Sequence, residues 1–183
     1  MLAPGLSEDA SPEVVVVILN WRRPQDTRAA VDSILRSAYA NVVVIVVDNA
    51  TETAYALDPR DLPSGVYVVR SSTNLGYAAG NNVGIRWAAA CAAPYVLLLN
   101  DDALVLPDTL EFLVEAIQPP DVAAVGCKVR IAENPHLLWA AGEAFPRGRP
   151  YPQDEGQFDA PRDLSYVVGC CMLMQTACVQ AVG

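Results

Sequence analysis

The stretch VLLLNDDALV, residues 96 to 105, runs from four apolar residues directly into Asn100, Asp101 and Asp102. A short apolar run that ends in polar residues is typical of a buried strand that stops at the edge of a sheet. Two adjacent carboxylates repel each other and lose hydration on burial unless a positive charge lies against them. The stretch therefore predicts a buried strand with a cation site at its end.

Similar apolar runs recur on both sides of this stretch, and amphipathic segments separate them. Pro24 suits the first turn of a helix, and an apolar stripe at helical spacing follows it. Further helices are predicted from about Tyr77 to Ala92 and from Pro107 to Pro119. Strands alternating with helices indicate an α/β fold with a doubly wound, mostly parallel, Rossmann-like sheet. The predicted strands are Val14 to Leu19, Val42 to Val47, Val66 to Val69, Tyr95 to Leu99, Val122 to Val125 and Tyr166 to Met174.

Polar residues stand directly after three of the predicted strands. Asn20 follows the first strand, Asp48 the second, and the group from Asn100 to Asp102 the fourth. Ligands of parallel α/β sheets bind at the carboxyl ends of the strands, so we expect these residues to rim one crevice. A stretch from Pro135 to Asp163 that is rich in Pro, Gly and charge predicts a long loop over it.

The composition excludes several classes of protein. With 12 Lys and Arg against 21 Asp and Glu, the net charge of −9 argues against a nucleic-acid partner, because phosphate backbones are bound by clustered basic residues. The longest apolar runs fall short of the roughly 18 residues that span a bilayer. The five cysteines form no CxxC pair, which indicates reduced thiols and a cytoplasmic protein. Residues 1–13 do not resemble a signal peptide and are predicted to be a flexible N-terminal segment.

Other nucleotide and hydrolase sites are excluded by their missing motifs. A dinucleotide site needs GxGxxG in the first strand-to-helix turn, and the turn here is NWRRPQD, without glycine. Neither GxxxxGKS nor GxxxxGKT occurs for a P-loop, and a single His136 without GxSxG leaves little basis for a serine hydrolase. What remains is a carboxylate site at a strand end, suited to Mg²⁺ or Mn²⁺ shared with ligand phosphates.

Five motifs occur in order along the chain: VVVVILNWRRP, VVVIVVDNAT, NLGYAAGNNVGIRWA, YVLLLNDDALV and YVVGCCMLM. Together they resemble the family 2 glycosyltransferases of GT-A fold, and most of all the rhamnosyltransferase-like branch that builds bacterial polysaccharides. The resemblance extends from Val14 to Gly183. It depends on the order and spacing of the motifs, because each motif alone is a weak signal.

The resemblance implies an inverting glycosyltransferase that moves a sugar from a UDP- or dTDP-sugar to a polysaccharide or glycolipid acceptor. By that likeness, Asp102 binds Mg²⁺ or Mn²⁺, Asp101 lies near the ribose or the sugar, and Asp48 accepts the imide N–H of uracil or thymine. The chemistry agrees, because a divalent cation across both phosphates stabilises the charge of the leaving diphosphate. A carboxylate at Asp48 also rejects cytosine, which lacks that N–H. The alternative for all three aspartates is a turn-forming strand end.

The remaining candidate contacts are asparagines and a glycine. Asn20 is expected to orient its loop or to approach the base. Asn74 and Gly76 are expected to form a turn near the nucleotide, with Gly76 permitting a positive φ. Asn81 and its neighbour Asn82 are explained equally well by ligand contact and by hydrogen bonds between helix and loop.

No residue of the sequence matches the general base of the family. There the base is a carboxylate in an acidic Glu-Asp motif that follows the segment matched by YVVGCCMLMQTACVQAVG, so we expect it beyond Gly183. Residues 14–183 are therefore expected to be the nucleotide-sugar-binding domain, truncated on its acceptor side. Cys170 and Cys171 are expected to pack rather than to react. The other acidic candidates are expected to be solvated loop charges: Glu143, Asp154, Glu155, Asp159 and Asp163.

The expected partners are a nucleotide diphosphate sugar and a saccharide or lipid-linked acceptor. Peripheral association with the inner face of the membrane and homodimerisation stay open. One alternative from another class is a binding-only domain that recognises a nucleotide sugar without turnover. A second alternative is sugar nucleotidyltransfer, which is disfavoured because NWRRPQD is not the glycine-rich, arginine-bearing loop of that class.

Overall fold

A six-stranded sheet forms the centre of the part of the chain that the structure describes. The structure, a computed structural model, describes residues 13–50, 52, 57–142 and 151–182. Residues 1–12 of the predicted flexible segment therefore lie outside the described residues. In chain order the strands are β1 (Val14–Asn20), β2 (Val42–Asn49), β3 (Val66–Ser71), β4 (Tyr95–Asn100), β5 (Ala124–Gly126), β6 (Val129–Ile131), β7 (Asn134–Ala140) and β8 (Cys171–Gln175).

The spatial order of the main sheet is β3-β2-β1-β4-β8-β5. Strands β3, β2, β1 and β4 are parallel, and β8 runs antiparallel to both of its neighbours. The register places Leu19 of β1 beside Asn100 of β4, and Asp48 of β2 beside Arg70 of β3. The doubly wound, mostly parallel α/β fold predicted from the sequence is confirmed.

Within the described residues, four helices cover the two faces of the sheet: α1 (Pro24–Leu35), α2 (Gly76–Ala90), α3 (Thr109–Ala116) and α4 (Thr176–Val182). Val16 of β1 packs in one apolar cluster with Ile34 of α1 and Leu110 of α3. The next residue, Val17, packs in the opposite cluster with Ala88 of α2. Because both faces of β1 are covered, its sequence is apolar without interruption. None of the described helices is long and apolar enough to cross a membrane.

Two sequence predictions for the C-terminal half are wrong in part. The predicted loop from Pro135 to Asp163 contains most of β7, which forms a hairpin with β6 and buries Leu138 completely. The Pro, Gly and charged residues in the rest of this stretch indicated a loop, so β7 was not predicted. Residues 143–150 lie outside the described residues. The predicted strand from Tyr166 begins only at Cys171, because residues 169 and 170 form a turn.

Candidate functional site

A crevice opens between the carboxyl ends of β1 and β4, which are neighbours in the sheet. The chain leaves β1 for β2 on one side and leaves β4 for β5 on the other, so the two loops diverge. Ligands of open α/β sheets bind at such a switch point. An open cleft of about 410 Å³ lies here, which is within the range of about 300 to 1,000 Å³ that is usual for small-molecule sites.

Most of the residues predicted to contact the nucleotide sugar or the metal line this cleft. They come from the turn before α2, from α2 itself and from the turn after β4. The residues are Asn74, Gly76, Asn81, Asp101 and Asp102. The fold therefore brings together residues that lie up to 28 positions apart in the sequence (102 minus 74), although their role in binding stays a prediction.

The turn after β4 presents both aspartates to the loop after β1. The backbone N–H of Trp21 donates to Asp101 Oδ2 at 3.4 Å, and Arg23 Nη1 donates to Asp102 Oδ2 at 2.6 Å. Burial raises the pKa of the Asp101 carboxyl; the Trp21 N–H opposes this rise, and the charge of Asp102 adds to it. Asp102 is the more accessible member of the pair, with half of its side chain exposed.

The oxygen atoms at this turn fit a hard divalent cation. Asp101 and Asp102 offer carboxylates, the ligands that Mg²⁺ and Mn²⁺ prefer, and the Arg23 guanidinium already lies against Asp102 as a positive group. Across the described ranges, no three His, Cys, Asp or Glu side chains converge to hold a metal ion. The protein therefore suits a cation that takes one or two carboxylates and completes its coordination with phosphate and water.

Asn20 and Asp48 lie beneath the cleft in a buried hydrogen-bond network, and both side chains are fully buried. Asn20 Nδ2 donates to Asp48 Oδ1 at 3.2 Å, and Arg70 Nε donates to Asp48 Oδ2 at 2.8 Å. Thr27 Oγ1 donates to Asn20 Oδ1 at 2.9 Å, which ties the end of β1 to α1. The carboxylate of Asp48 has no exposed surface, so a base can reach it only if the groups that cover it move.

The side chain of Asn49 holds the turn at the entrance to α2. Its Oδ1 accepts from the Leu75 N–H at 2.8 Å, and its Nδ2 donates to Asn74 Oδ1 at 3.0 Å and to the Gly76 carbonyl at 3.3 Å. Gly76 has a φ of +75°, which confirms the positive φ expected from the sequence. This wall of the cleft is therefore fixed by a side chain from the neighbouring strand β2.

Tyr77 and Asn81, one helical turn apart on α2, extend the same wall. Asn81 Nδ2 donates to the Tyr77 carbonyl at 3.0 Å, whereas Asn82 is exposed. The Tyr77 hydroxyl donates to the Gly169 carbonyl at 2.6 Å and so links α2 to the segment before β8. Burial raises the pKa of Tyr77, which keeps its hydroxyl protonated near neutral pH.

Asp154 is not the solvated loop charge that the sequence predicted. Its side chain is only 7% exposed and forms ion pairs with Lys128 and Arg130 of the hairpin region. These two partners lower the pKa of Asp154 to about 2. Asp159, which is exposed, also pairs with Lys128. Of the other acidic candidates, Glu155 and Asp163 are exposed, and Glu143 lies outside the described residues.

All five cysteines carry free thiols. Cys170 and Cys171 are buried. Burial raises the pKa of the Cys170 thiol to about 11, and the charges of Cys127 and Asp102 add to the rise. A thiol with so high a pKa is a weak nucleophile near neutral pH, in agreement with the packing role expected for this pair.

Four polar or aromatic residues of the cleft were missed by sequence reasoning. They are Trp21, Arg23, Asn49 and Tyr77. A signal was present for Trp21, because it follows the first strand as closely as Asp101 follows the fourth, and Arg23 lies two positions further on. No comparable signal separates Asn49 from Asp48, since both end the same strand.

A family model described as Glycosyl transferase family 2 matches residues 14–183. The chain is 30% identical over 190 residues to an uncharacterised protein, y4gI, of Sinorhizobium fredii. It is 28% identical over 188 residues to the O-antigen biosynthesis protein RfbC of Myxococcus xanthus. These alignments cover 96% and 94% of this chain but only 21% and 14% of the two relatives, so the chain spans about a fifth of their length or less.

Solved structures share the fold at low sequence identity. The mannosyltransferase PcManGT from Pyrobaculum calidifontis, in complex with GDP-Man and Mn²⁺, matches with a TM-score of 0.62 at 20% identity, over 98% of this chain and 50% of that one. Residues 1–349 of TarS from S. aureus match with a TM-score of 0.65 at 16% identity, over 93% and 49% of the two chains. These matches confirm the GT-A fold that the motifs predicted.

Proposed function

The chain belongs to glycosyl transferase family 2, and from this premise we propose that its cleft binds the nucleotide diphosphate sugar of an inverting transfer. The proposed donor is a UDP- or dTDP-sugar, bound together with Mg²⁺ or Mn²⁺. The proposed acceptor is a polysaccharide or a glycolipid. The observation that carries this proposal is the placement of Asp101 and Asp102 in the cleft at the switch point of the sheet.

The ligands of proteins with this fold support a nucleotide-sugar donor, and the ligands of TarS match the proposed uridine whereas GDP-Man does not. The structure from Pyrobaculum calidifontis holds GDP-Man and Mn²⁺, and TarS was solved with UDP-GlcNAc and with UDP. The relative from Myxococcus xanthus is an O-antigen biosynthesis protein, which supports a polysaccharide acceptor. The rhamnosyltransferase-like branch stays a prediction.

The turn after β4 is the proposed diphosphate site. Asp102, the accessible carboxylate, would hold the divalent cation, and Asp101 would face the ribose or the sugar. When bound, the cation supplies positive charge to the diphosphate as it leaves. Asp101 is held toward the loop after β1 by the N–H of Trp21, so its carboxylate is oriented before a ligand arrives.

The nucleoside is proposed to lie against the wall formed by Asn74, Gly76 and Asn81. That wall is pre-organised, because Asn49 fixes the turn and Gly76 takes the positive φ that the turn requires. A pre-organised wall lowers the entropy lost on binding.

Asn20 and Asp48 are proposed to support the nucleotide site from beneath. The hydrogen bond between Asn20 and Asp48 joins the ends of β1 and β2. The hydrogen bond from Arg70 to Asp48 connects the end of β3 to them. Direct recognition of the base by Asp48, the alternative predicted from the sequence, would require the groups that bury its carboxylate to move, and we therefore favour the supporting role.

A binding-only domain is the second candidate function. Among the described residues that line the cleft, the only carboxylates are Asp101 and Asp102, and both are assigned to the donor. A general base for an acceptor hydroxyl therefore has no candidate there. Release of nucleotide diphosphate from a donor that binds, measured with and without saccharide acceptors, separates the two functions when the protein assayed extends past Gly183, where the general base is expected.

A thermal-shift screen of nucleotide sugars tests the proposed function. UDP-, dTDP-, GDP- and CDP-sugars are compared with and without Mn²⁺. A ligand present at about 100 times its Kd stabilises the folded state by about 2.7 kcal/mol, which corresponds to a rise of several degrees in Tm. We expect this rise with a UDP- or dTDP-sugar in the presence of Mn²⁺. If no nucleotide sugar raises the Tm, the cleft is not a donor site.

A further inference from the structure

The positively charged side chain of Arg23 lies against Asp102, the residue proposed to bind the divalent cation. Among the described residues that line the cleft, it is the one cationic side chain. Its Nη1 lies 2.6 Å from Asp102 Oδ2. The guanidinium of Arg23 and a divalent cation would therefore compete for the negative charge of Asp102.

The pair of Arg23 and Asp102 is exposed enough to exchange. The two side chains are 52% and 50% accessible to solvent. Ion pairs of this exposure shift an equilibrium by about fivefold at most, because water solvates both charges well. Another cation can therefore replace the guanidinium at little cost.

The backbone of Arg23 is held in place, so its side chain stays near the turn after β4. The Arg23 carbonyl accepts from the Thr27 N–H at 2.9 Å and shares the Thr27 hydroxyl, at 2.8 Å, with Asn20 Oδ1. Arg22 has a φ of +63°, an unfavourable value for a residue other than glycine. Pro24 restricts the backbone of Arg23 from the other side. The path of this loop is thus determined by local structure and not by the ion pair alone.

The negative charge in the cleft exceeds what one divalent cation can neutralise, so Arg23 can still neutralise charge after it releases Asp102. Asp101, Asp102 and the diphosphate of a donor together carry about four negative charges, of which one divalent cation neutralises two. An arginine side chain binds phosphate oxygens through paired, charge-assisted hydrogen bonds. The released guanidinium therefore suits the diphosphate.

Building on the proposed function, we propose that Arg23 is an exchangeable counter-ion of this site. Without ligands, its guanidinium neutralises Asp102; when Asp102 takes up a divalent cation, the guanidinium moves to the phosphates of the donor. Arg23 then weakens binding of the cation alone and strengthens binding of the diphosphate. Both ligands favour the separation of Arg23 from Asp102, because the cation repels the guanidinium and the diphosphate attracts it, so each favours the binding of the other.

Mn²⁺ binding without nucleotide, measured from the electron paramagnetic resonance signal of the free ion, tests the first half of the proposal. We expect Arg23→Ala and the longer Arg23→Gln to bind Mn²⁺ about two- to fivefold more tightly than wild type. Arg22→Ala is the matched control: it removes the same charge from the adjacent position, where Arg22 pairs with Glu52. The Arg22→Ala control should change the affinity for Mn²⁺ less than Arg23→Ala does. Adding Asp102→Asn to Arg23→Ala should abolish the gain in Mn²⁺ affinity.

Binding of methylenediphosphonate, a diphosphate analogue without a base, tests the second half. With Mn²⁺ saturating, calorimetry should show affinity weakened about threefold or more in Arg23→Ala, and near wild type in Arg22→Ala. A residue that merely held the loop would leave both affinities unchanged or lower both. Tighter binding of Mn²⁺ together with weaker binding of methylenediphosphonate in Arg23→Ala is expected only if Arg23 exchanges between Asp102 and the diphosphate.

Unchanged or weaker Mn²⁺ binding in both Arg23 variants would overturn the proposal, and so would unchanged binding of methylenediphosphonate. The proposed function fails by a different result. It fails if no nucleotide sugar stabilises the wild-type protein, even where the opposite changes for Mn²⁺ and methylenediphosphonate are observed.

Discussion

The guanidinium of Arg70 lies 2.8 Å from the carboxylate of Asp48, its register partner on the adjacent parallel strand, and thereby joins two strand ends beneath the cleft. Replacing Asp48 by Asn removes the buried charge that Arg70 and Asn20 both contact. We expect the free energy of unfolding to fall by about 1 to 3 kcal/mol, because hydrogen-bonding groups then lose a partner. Urea denaturation measures this change. Asp61→Asn, which breaks the exposed pair with Arg28, should cost less than about 1 kcal/mol.

The same Asp48→Asn variant separates structural support from recognition of the base. Both oxygens of the wild-type carboxylate are bound to protein groups, so we expect UDP and CDP to lose affinity by the same factor. A variant that loses affinity for UDP but not for CDP would instead assign the imide N–H of the base to Asp48.

The turn before α2 should depend on the side chain of Asn49. Asn49→Ala removes the acceptor for the Leu75 N–H and the donor to Asn74, in a position that is 2% exposed. We expect a loss of about 1 to 3 kcal/mol in stability and weaker nucleotide binding, since the wall of the cleft is no longer held. Asn82→Ala, on the exposed side of α2, is the control and should leave both unchanged. Nucleotide affinity equal to wild type in a folded Asn49→Ala protein would contradict this role.

Helix α2 should tolerate no methyl group where it lies on β1. A Cβ at Gly84 would lie 2.3 Å from Val17 Cγ1, and a Cβ at Gly80 would lie 2.6 Å from Leu19 Cδ1. Overpacking typically costs about 1 to 3 kcal/mol. Thermal denaturation should show a larger loss for Gly84→Ala than for Gly80→Ala, because the stiff branched side chain of Val17 cannot turn aside as the end of Leu19 can. If Gly84→Ala were as stable as wild type or more stable, α2 would not pack this closely against Val17 of β1.

The thiol of Cys170 should be unreactive at neutral pH. Burial raises its pKa to about 11, above the ordinary value of 9.0, so the reactive thiolate forms only as the pH rises toward 11. Mass spectrometry after brief treatment with iodoacetamide should find little modification of Cys170 at pH 7, and a rate that increases with pH up to that value. Rapid modification at pH 7 would reveal an activated thiol and would contradict a packing role.

The fold was predictable because its central strands β1, β2 and β4 are buried on both faces and are therefore apolar over most of their length. The run from Val14 to Asn20 and the run that ends at Asn100 needed no tertiary information to be identified as strands. The strand β7 was not predictable in the same way, since its seven residues adjoin a stretch rich in Pro and Gly and pair with a three-residue strand and with an isolated bridge at Gln153.

The position of the cleft was predictable, but the orientation of its side chains was not. Asp48 and Asn49 both end β2, yet one binds Arg70 beneath the cleft and the other lines it. That difference arises from the alternation of side chains and from the register with β1 and β3, which a single sequence does not specify. The contact between Arg23 and Asp102 joins loops 79 positions apart and depends on the order of the strands.

The most direct test of the proposed donor site is the effect of Asp102→Ala on metal-dependent nucleotide affinity. Calorimetry with UDP and dTDP, each with and without Mn²⁺, should show that Mn²⁺ tightens binding to the wild-type protein by about tenfold or more, equivalent to about 1.4 kcal/mol. Asp102→Ala should lose this gain, whereas Asp108→Ala, an exposed aspartate six positions along the chain, should keep it. If Asp102→Ala retained the full effect of Mn²⁺, Asp102 would not be the ligand of the cation, and the donor site proposed at the end of β4 would be contradicted.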